Sequence, residues 1–177
     1  HNTLRRQRQM CIRDRINVTW SIPTLLLVIA ISLAIGKGFN QVFIAIGLTM
    51  WVDVARIVRG QFMSLKEKEF VEAGDVLGYK SSRLIVKHIL PNIISTILVI
   101  STANFSAAIL LESGLSFLGL GAQPPVPTWG SMLRDHYYFI FMEKSYLAII
   151  PGLFIMTLVL SFINLGNGLR DLLDVKN

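Results

Sequence analysis

The chain has 177 residues, of which 53% are hydrophobic and 16% are charged, and its apolar residues come in long blocks. This distribution is typical of a membrane protein and argues against a soluble domain. The formal net charge of +6 would favour nucleic-acid binding in a soluble domain, but in a membrane protein it is tested first as a signal of orientation.

The first stretch, residues 1–15, is basic and has no apolar face. One interpretation is a basic tail beside the membrane. The interpretation that we favour is that this stretch is foreign to the protein, because it reads like translated sequencing-adapter sequence. We therefore draw no function from Cys11, which as the single cysteine excludes a disulfide within the chain.

Four apolar segments approach the roughly 20 residues that a transmembrane helix needs. They are Thr19 to Ile35, Val42 to Val58, Ile93 to Leu111 and Tyr146 to Leu165. Basic residues concentrate before the first segment and between the second and third, and are few in the other connections. The positive-inside rule then places both termini and the second connection in the cytoplasm. We predict an all-α, multi-pass integral membrane protein with a bundle of about four transmembrane helices.

The second connection, residues 60–91, is predicted to contain a short amphipathic helix. Its apolar residues recur at helical spacing: Phe70, Val71, Gly74 and Leu77. Gly78 is expected to end this helix, because glycine takes positive φ without strain. Ser81 or Ser82 is expected to cap a second helix that leads into the third span, and Pro91 is expected to start a new segment or kink it.

Hydroxyl side chains mark one face of the third span, since Ser95, Thr102 and Ser106 follow helical spacing. Small and hydroxyl residues in a membrane helix usually allow a neighbouring helix to pack closely, which is the interpretation that we favour. The alternative is that these residues line a water-filled path.

The connection between the third and fourth spans, residues 112–145, is predicted to lie on the extracytoplasmic side. Its first part, residues 112–121, is too short and too rich in glycine to cross the membrane, so we expect it to be re-entrant or interfacial. Trp129 is expected to lie at the level of the lipid headgroups.

The chain lacks the motifs that hold nucleotide phosphates, and its three histidines form no cluster with metal-ligand spacing. We therefore expect no ATP hydrolysis by this chain, no cofactor and no metal. We also expect no nucleic-acid partner.

Short groups of residues occur in an order that resembles the second permease subunit of the dipeptide, oligopeptide and nickel branch of bacterial ABC importers. They are Ser21-Ile22-Pro23, Ala55-Arg56 with Arg59-Gly60, Leu115 to Gly121, Trp129 to Met132, Pro151-Gly152 and Asn164 to Asp171. The stretch from Glu72 to Asn92 resembles the Glu-Ala-Ala loop of these permeases. The matching residues are Glu72, Ala73, Gly78, His88, Leu90, Pro91 and Asn92, whereas Gly74 departs from the usual second alanine.

The resemblance implies that the chain is the C-terminal part of a permease with about six transmembrane helices. Four segments of this chain are long enough to be such helices. It implies a bacterial inner-membrane heterodimer with a homologous permease subunit, two cytoplasmic ATP-binding subunits and an extracytoplasmic solute-binding protein. The solute would be a dipeptide, an oligopeptide or nickel. Residues 72–78 would form a coupling helix on the ATPase, with Ala73 and Gly74 allowing close approach and Glu72 and Asp75 fixing orientation.

An alternative interpretation is a fragment of a secondary transporter or channel. Such a protein requires ionisable groups near the middle of the membrane, and the predicted spans place almost none there.

Overall fold

The computed structural model describes residues 22–36 and 38–174, with the side chains of Asp75 and Asp174 left out. In this part of the chain the α-helices are α1 Thr24–Ile35, α2 Phe39–Lys66, α3 Glu69–Val76, α4 Ser81–Leu84, α5 Leu90–Phe117, α6 Trp129–His136 and α7 Tyr146–Asp174. A π-helical segment, Ile85–Ile89, joins α4 to α5, and a 3-10 helix, Tyr137–Phe141, follows α6. The described residues contain no strand, and the all-α prediction is confirmed.

Three helical stretches among the described residues are long and apolar enough to cross a membrane: Phe39–Lys66, Ser81–Phe117 and Tyr146–Leu173. They correspond to the second, third and fourth predicted spans. The first predicted span is described only as α1, which has 12 residues. Its expected beginning at Thr19 lies outside the described residues.

The spanning helices are longer than the apolar segments that predicted them. At about 1.5 Å per residue, a helix such as α2 exceeds the roughly 30 Å of the hydrocarbon layer. The apolar composition indicates only the part of a helix that lies in the hydrocarbon layer. The helix itself continues through polar turns outside this layer. Glu112 to Phe117 are the last turns of α5, so residues 112–121 do not begin as a separate re-entrant segment; their interfacial position stays a prediction.

The described residues divide into two compact units, and α2, α5 and α7 contribute to both. Unit 1 contains residues 22–52 and 107–158 of the described chain. Its core joins α1, α2 and α5 through Val28, Val42, Ala45, Ile46 and Leu115. These side chains are nearly inaccessible to solvent, so they hold the three helices of this unit together.

In unit 1, α6 packs directly on the end of α5. Thr128 caps α6, because its Oγ1 accepts a hydrogen bond from the Ser131 amide at 3.2 Å and its own amide donates to Ser131 Oγ at 3.0 Å. A Cβ at Gly130 would overlap the carbonyl oxygen of Ser113, so only glycine allows this approach. Trp129 stacks on Phe154 of α7, with ring centroids 5.7 Å apart.

Unit 2 contains residues 53–106 and 159–174 of the described chain, and includes the two short helices of the second connection. Its α5 and α7 portions pack closely around Gly166. A Cβ at this position would overlap Oγ1 of Thr102, and Phe105 stacks on Phe162 with ring centroids 5.6 Å apart. Small residues therefore bring the two backbones together here.

Candidate functional site

The segment from Glu69 to Asn92, called here the 69–92 segment, links two spanning helices through few non-helical residues. Only Glu67 and Lys68 separate α2 from α3, and the chain runs as continuous helix from Ser81 into α5. The predicted loop is therefore mostly helix. Any displacement of α3 must be accommodated by very few non-helical residues.

Val71 fixes α3 to both neighbouring helices. It is 4% exposed and packs with Ile89 of the π-helical segment and Ile93 at the beginning of α5. Partly buried side chains of α2 and α5 complete this cluster: Val58, Phe62, Leu65 and Ile97. The amphipathic helix predicted from the sequence is confirmed, and its buried face begins at Val71.

Gly78 ends α3 in the manner expected. Its φ is +74°, and the amide of Tyr79 donates to the carbonyl of Gly74 at 3.0 Å. A left-handed residue followed by this six-to-one hydrogen bond is the Schellman arrangement of a helix end. A Cβ at residue 78 would meet no atom within 4 Å, so glycine is required there by backbone conformation and not by space.

Gly74 lies inside the 69–92 segment and not on its surface. Its backbone is buried against Leu84 of α4, whose Cδ2 atom would overlap a Cβ at this position. The expectation that Gly74 belongs to a docking surface was therefore wrong. Its small size instead lets α4 approach α3.

The exposed surface of α3 combines charge with apolar side chains. Glu72 and Ala73 are exposed, and Val76 and Leu77 are 88% and 69% exposed. Phe70 is half-exposed, although its spacing predicted that it and Leu77 would share the buried face. The side chain of Asp75 lies outside the described residues. The end of α3 next to Gly78 therefore exposes apolar side chains to solvent.

Tyr79 ties the turn to the second half of the segment. Its ring stacks on that of His88, with centroids 6.2 Å apart and planes 12° from parallel. The guanidinium carbon of Arg83 lies 4.7 Å from the centre of the same ring. These contacts favour one orientation of α4 relative to the turn at Gly78.

The path into α5 passes through the π-helical segment Ile85–Ile89, which the sequence did not predict. There the amide of Leu90 donates to the carbonyl of Ile85, five residues earlier. The next residue is Pro91, which has no N–H and crowds the carbonyl four residues before it. The wider turn accommodates this proline within one helical stretch, in which α5 begins at Leu90, directly before Pro91. That Pro91 kinks the helix stays a prediction.

Two smaller features complete this junction. Asn92 Nδ2 donates to the carbonyl of His88 at 2.7 Å. The residue before α4 is Lys80, and it makes no side-chain capping bond. Ser81 is the first helical residue, so the expected serine cap was wrong.

The predicted hydroxyl face of α5 has two environments. Thr102 and Ser106 are buried, and Ser106 Oγ lies 3.2 Å from the Thr102 carbonyl and 3.4 Å from the Val159 carbonyl of α7. This geometry supports the packing interpretation for both. Ser95 instead lines a cavity near the beginning of α5. That these three residues line a solute path stays a prediction.

The order of these elements and their motifs agrees with a known family. The model of the family described as "Binding-protein-dependent transport system inner membrane component" matches residues 3–174. The chain belongs to this family. It is a multi-pass protein of the bacterial inner membrane, and the resemblance to importer permeases is confirmed. The match includes most of the basic stretch 1–15. The foreign origin of this stretch stays a prediction, and its residues lie outside the described ones.

Curated relatives cover nearly all of this chain. It is 42% identical over 158 residues to the oligopeptide transport system permease protein OppC of Escherichia coli (strain K12). It is 41% identical over 161 residues to the dipeptide transport system permease protein DppC of Bacillus subtilis (strain 168). It is 39% identical over 160 residues to the glutathione transport system permease protein GsiD of Escherichia coli O1:K1 / APEC.

These alignments cover 89%, 91% and 90% of this chain but 52%, 50% and 52% of the respective relatives. The chain thus spans about half the length of the curated relatives that it matches. Family membership also disfavours the alternative interpretation as a secondary transporter or channel.

Proposed function

We propose that this chain is part of a transmembrane permease subunit of an ABC importer for peptides. In this proposal it forms the translocation path with a homologous permease subunit. Cytoplasmic ATP-binding subunits hydrolyse ATP, and an extracytoplasmic binding protein delivers the solute. The names of the relatives mention dipeptides, oligopeptides and glutathione, which supports peptides over nickel as the solute class.

The observation that carries this proposal is the attachment of α3 to two spanning helices through Val71. A helix seated on an ATPase moves when the ATPase closes. Because the cluster that contains Val71 includes residues of α5 and packs against residues of α2, this movement would reach both helices without passing through a flexible loop. The role of the 69–92 segment is then mechanical.

The exposed end of α3 supplies the contact with the ATPase in this account. Val76, the last residue of α3, and Leu77, which follows it, are exposed, and burying a side chain of this kind in a partner contributes about 1.5–3 kcal/mol. Glu72 gives the contact an electrostatic preference for one orientation. The positive-inside distribution of basic residues supports a cytoplasmic position for this end.

Co-purification of the ATPase with the full-length subunit tests the contact. We expect Val76→Asp to reduce the recovered ATPase by about tenfold or more, because a carboxylate would have to be buried without a partner. Val126→Asp is the matched control: Val126 is also an exposed valine, lies in the predicted extracytoplasmic connection, and should leave recovery unchanged.

Equal recovery with both aspartate variants would contradict the proposed contact. Solute flux by the full-length subunit in proteoliposomes without any ATPase would instead support the secondary-transporter interpretation.

A further inference from the structure

A cavity of about 280 Å³ lies in unit 2, where α2, α5 and α7 all contribute to its wall. Its polar lining residues are Gln61, Ser95, Thr96 and Arg170. Its apolar lining residues are Val99, Ile100 and Leu173. Thr96, Val99 and Ile100 share one face of α5, and Arg170 and Leu173 share one face of α7.

The polar lining favours a negatively charged ligand. Among the described side chains that line the cavity, Arg170 is the ionisable one. The hydroxyls of Ser95 and Thr96 and the amide of Gln61 add neutral donors. Arg170 already makes an interaction within the chain, and a guanidinium has five N–H donors, so that it can serve a ligand as well. A planar, charged donor group of this type suits carboxylate or phosphate oxygens.

The position of the cavity along the helices places it at one boundary of the membrane. Gln61 follows the apolar segment of α2, Ser95 lies at the beginning of that of α5, and Arg170 follows that of α7. Val99 and Ile100 lie one turn further into the apolar part of α5 than Thr96. A ligand would therefore find charge at the water side and apolar contacts toward the membrane interior.

We propose that this cavity binds an anionic oxygen group, and that the group is the phosphate of an anionic lipid headgroup. Arg170 and Thr96 hold the phosphate oxygens, and the first carbons of an acyl chain lie against Val99 and Ile100. Basic pockets between membrane helices on the cytoplasmic side are suited to such headgroups. The inference rests on the proposed cytoplasmic position of this boundary. The terminal carboxylate of a peptide has the same chemistry, and the experiment separates the two.

The test uses the full-length subunit in its assembled complex, in phosphatidylcholine nanodiscs that contain a small fraction of spin-labelled phosphatidylglycerol. The immobilised fraction of the label measures binding. No ATP is added, so the result does not depend on the proposed coupling function. We expect Arg170→Gln to weaken binding about tenfold and Arg170→Lys to weaken it less, because lysine keeps the charge. Thr96→Val, which removes only the hydroxyl, should give an intermediate loss.

Arg134→Gln is the matched control, since Arg134 lies in unit 1 and its charge pairs with Asp135. It should leave the immobilised fraction unchanged. Equal losses from Arg170→Gln and Arg134→Gln, or equal retention of spin-labelled phosphatidylcholine, would overturn the proposal. Displacement of the label by trialanine, but not by its C-terminal amide, would overturn the lipid as the occupant in favour of a peptide carboxylate.

Discussion

Cδ2 of Leu84 occupies the space that a Cβ on residue 74 would need. Leu84 is 4% exposed, so its side chain has little freedom to move aside. The glycine in α3 and the leucine in α4 are therefore complementary. Their fit decides how closely the two short helices of the 69–92 segment lie together.

Gly74→Ala should lower the thermal midpoint of the assembled complex, although alanine is the better helix former. The helix gains about 1 kcal/mol from the substitution, whereas overpacking against a buried leucine costs about 1–3 kcal/mol. Gly60→Ala in α2 is the matched control, because a Cβ at residue 60 would meet no atom within 4 Å, and it should be neutral or stabilising.

The origin of this effect can be checked with a double-mutant cycle. In a Leu84→Ala background the added methyl of Gly74→Ala has room, so its cost should disappear or change sign. An undiminished cost in that background would show that Leu84 is not the cause.

Gly78→Val should lower the thermal midpoint and impair solute-stimulated ATP hydrolysis in the reconstituted complex. The φ of +74° costs a residue with a Cβ about 1–2 kcal/mol, and more for a β-branched one. Gly78→Asn should be milder, since asparagine tolerates left-handed backbone. Equal damage from both variants would indicate that an external contact, and not backbone conformation, requires the glycine.

Gly166→Val should separate α5 from α7 in unit 2. Its Cβ would overlap the Thr102 hydroxyl oxygen, whereas a Cβ at Gly168 in the same helix meets no atom within 4 Å. Gly168→Val is therefore the control, and the thermal midpoint of the assembled complex is the measurement. We expect a loss of about 1–3 kcal/mol from Gly166→Val alone. Comparable losses from both would contradict close packing at Gly166.

Sequence patterns predicted the elements whose cause is local. Long apolar blocks predicted the spanning helices, and helical spacing followed by Gly78 predicted α3 and its end. The boundaries were less accurate, because helices such as α5 continue beyond the apolar part through polar and small residues. Glu112 to Phe117 are helical because α5 continues through them, and their composition did not indicate this.

What the sequence could not predict depends on partners distant in the chain. Whether Gly74 faces the inside or the surface of the 69–92 segment depends on where Leu84 lies. The wider turn before Pro91 depends on α4 and α5 forming one helical stretch. The cavity beside Arg170 requires three helices to meet, so no local pattern marks it. Helical spacing did group Ser95 with Thr102 and Ser106, but only packing against α7 distinguishes the cavity residue from the two buried ones.

The most direct test of the coupling account is the number of peptides transported per ATP hydrolysed by the complex in proteoliposomes. Val71→Asp places a carboxylate in the cluster that holds α3 to α2 and α5. We expect the ATPase to remain bound and to hydrolyse ATP while this ratio falls by about tenfold or more, with a smaller fall for Val71→Ala. A ratio equal to that of the wild type in a Val71→Asp complex would contradict the account.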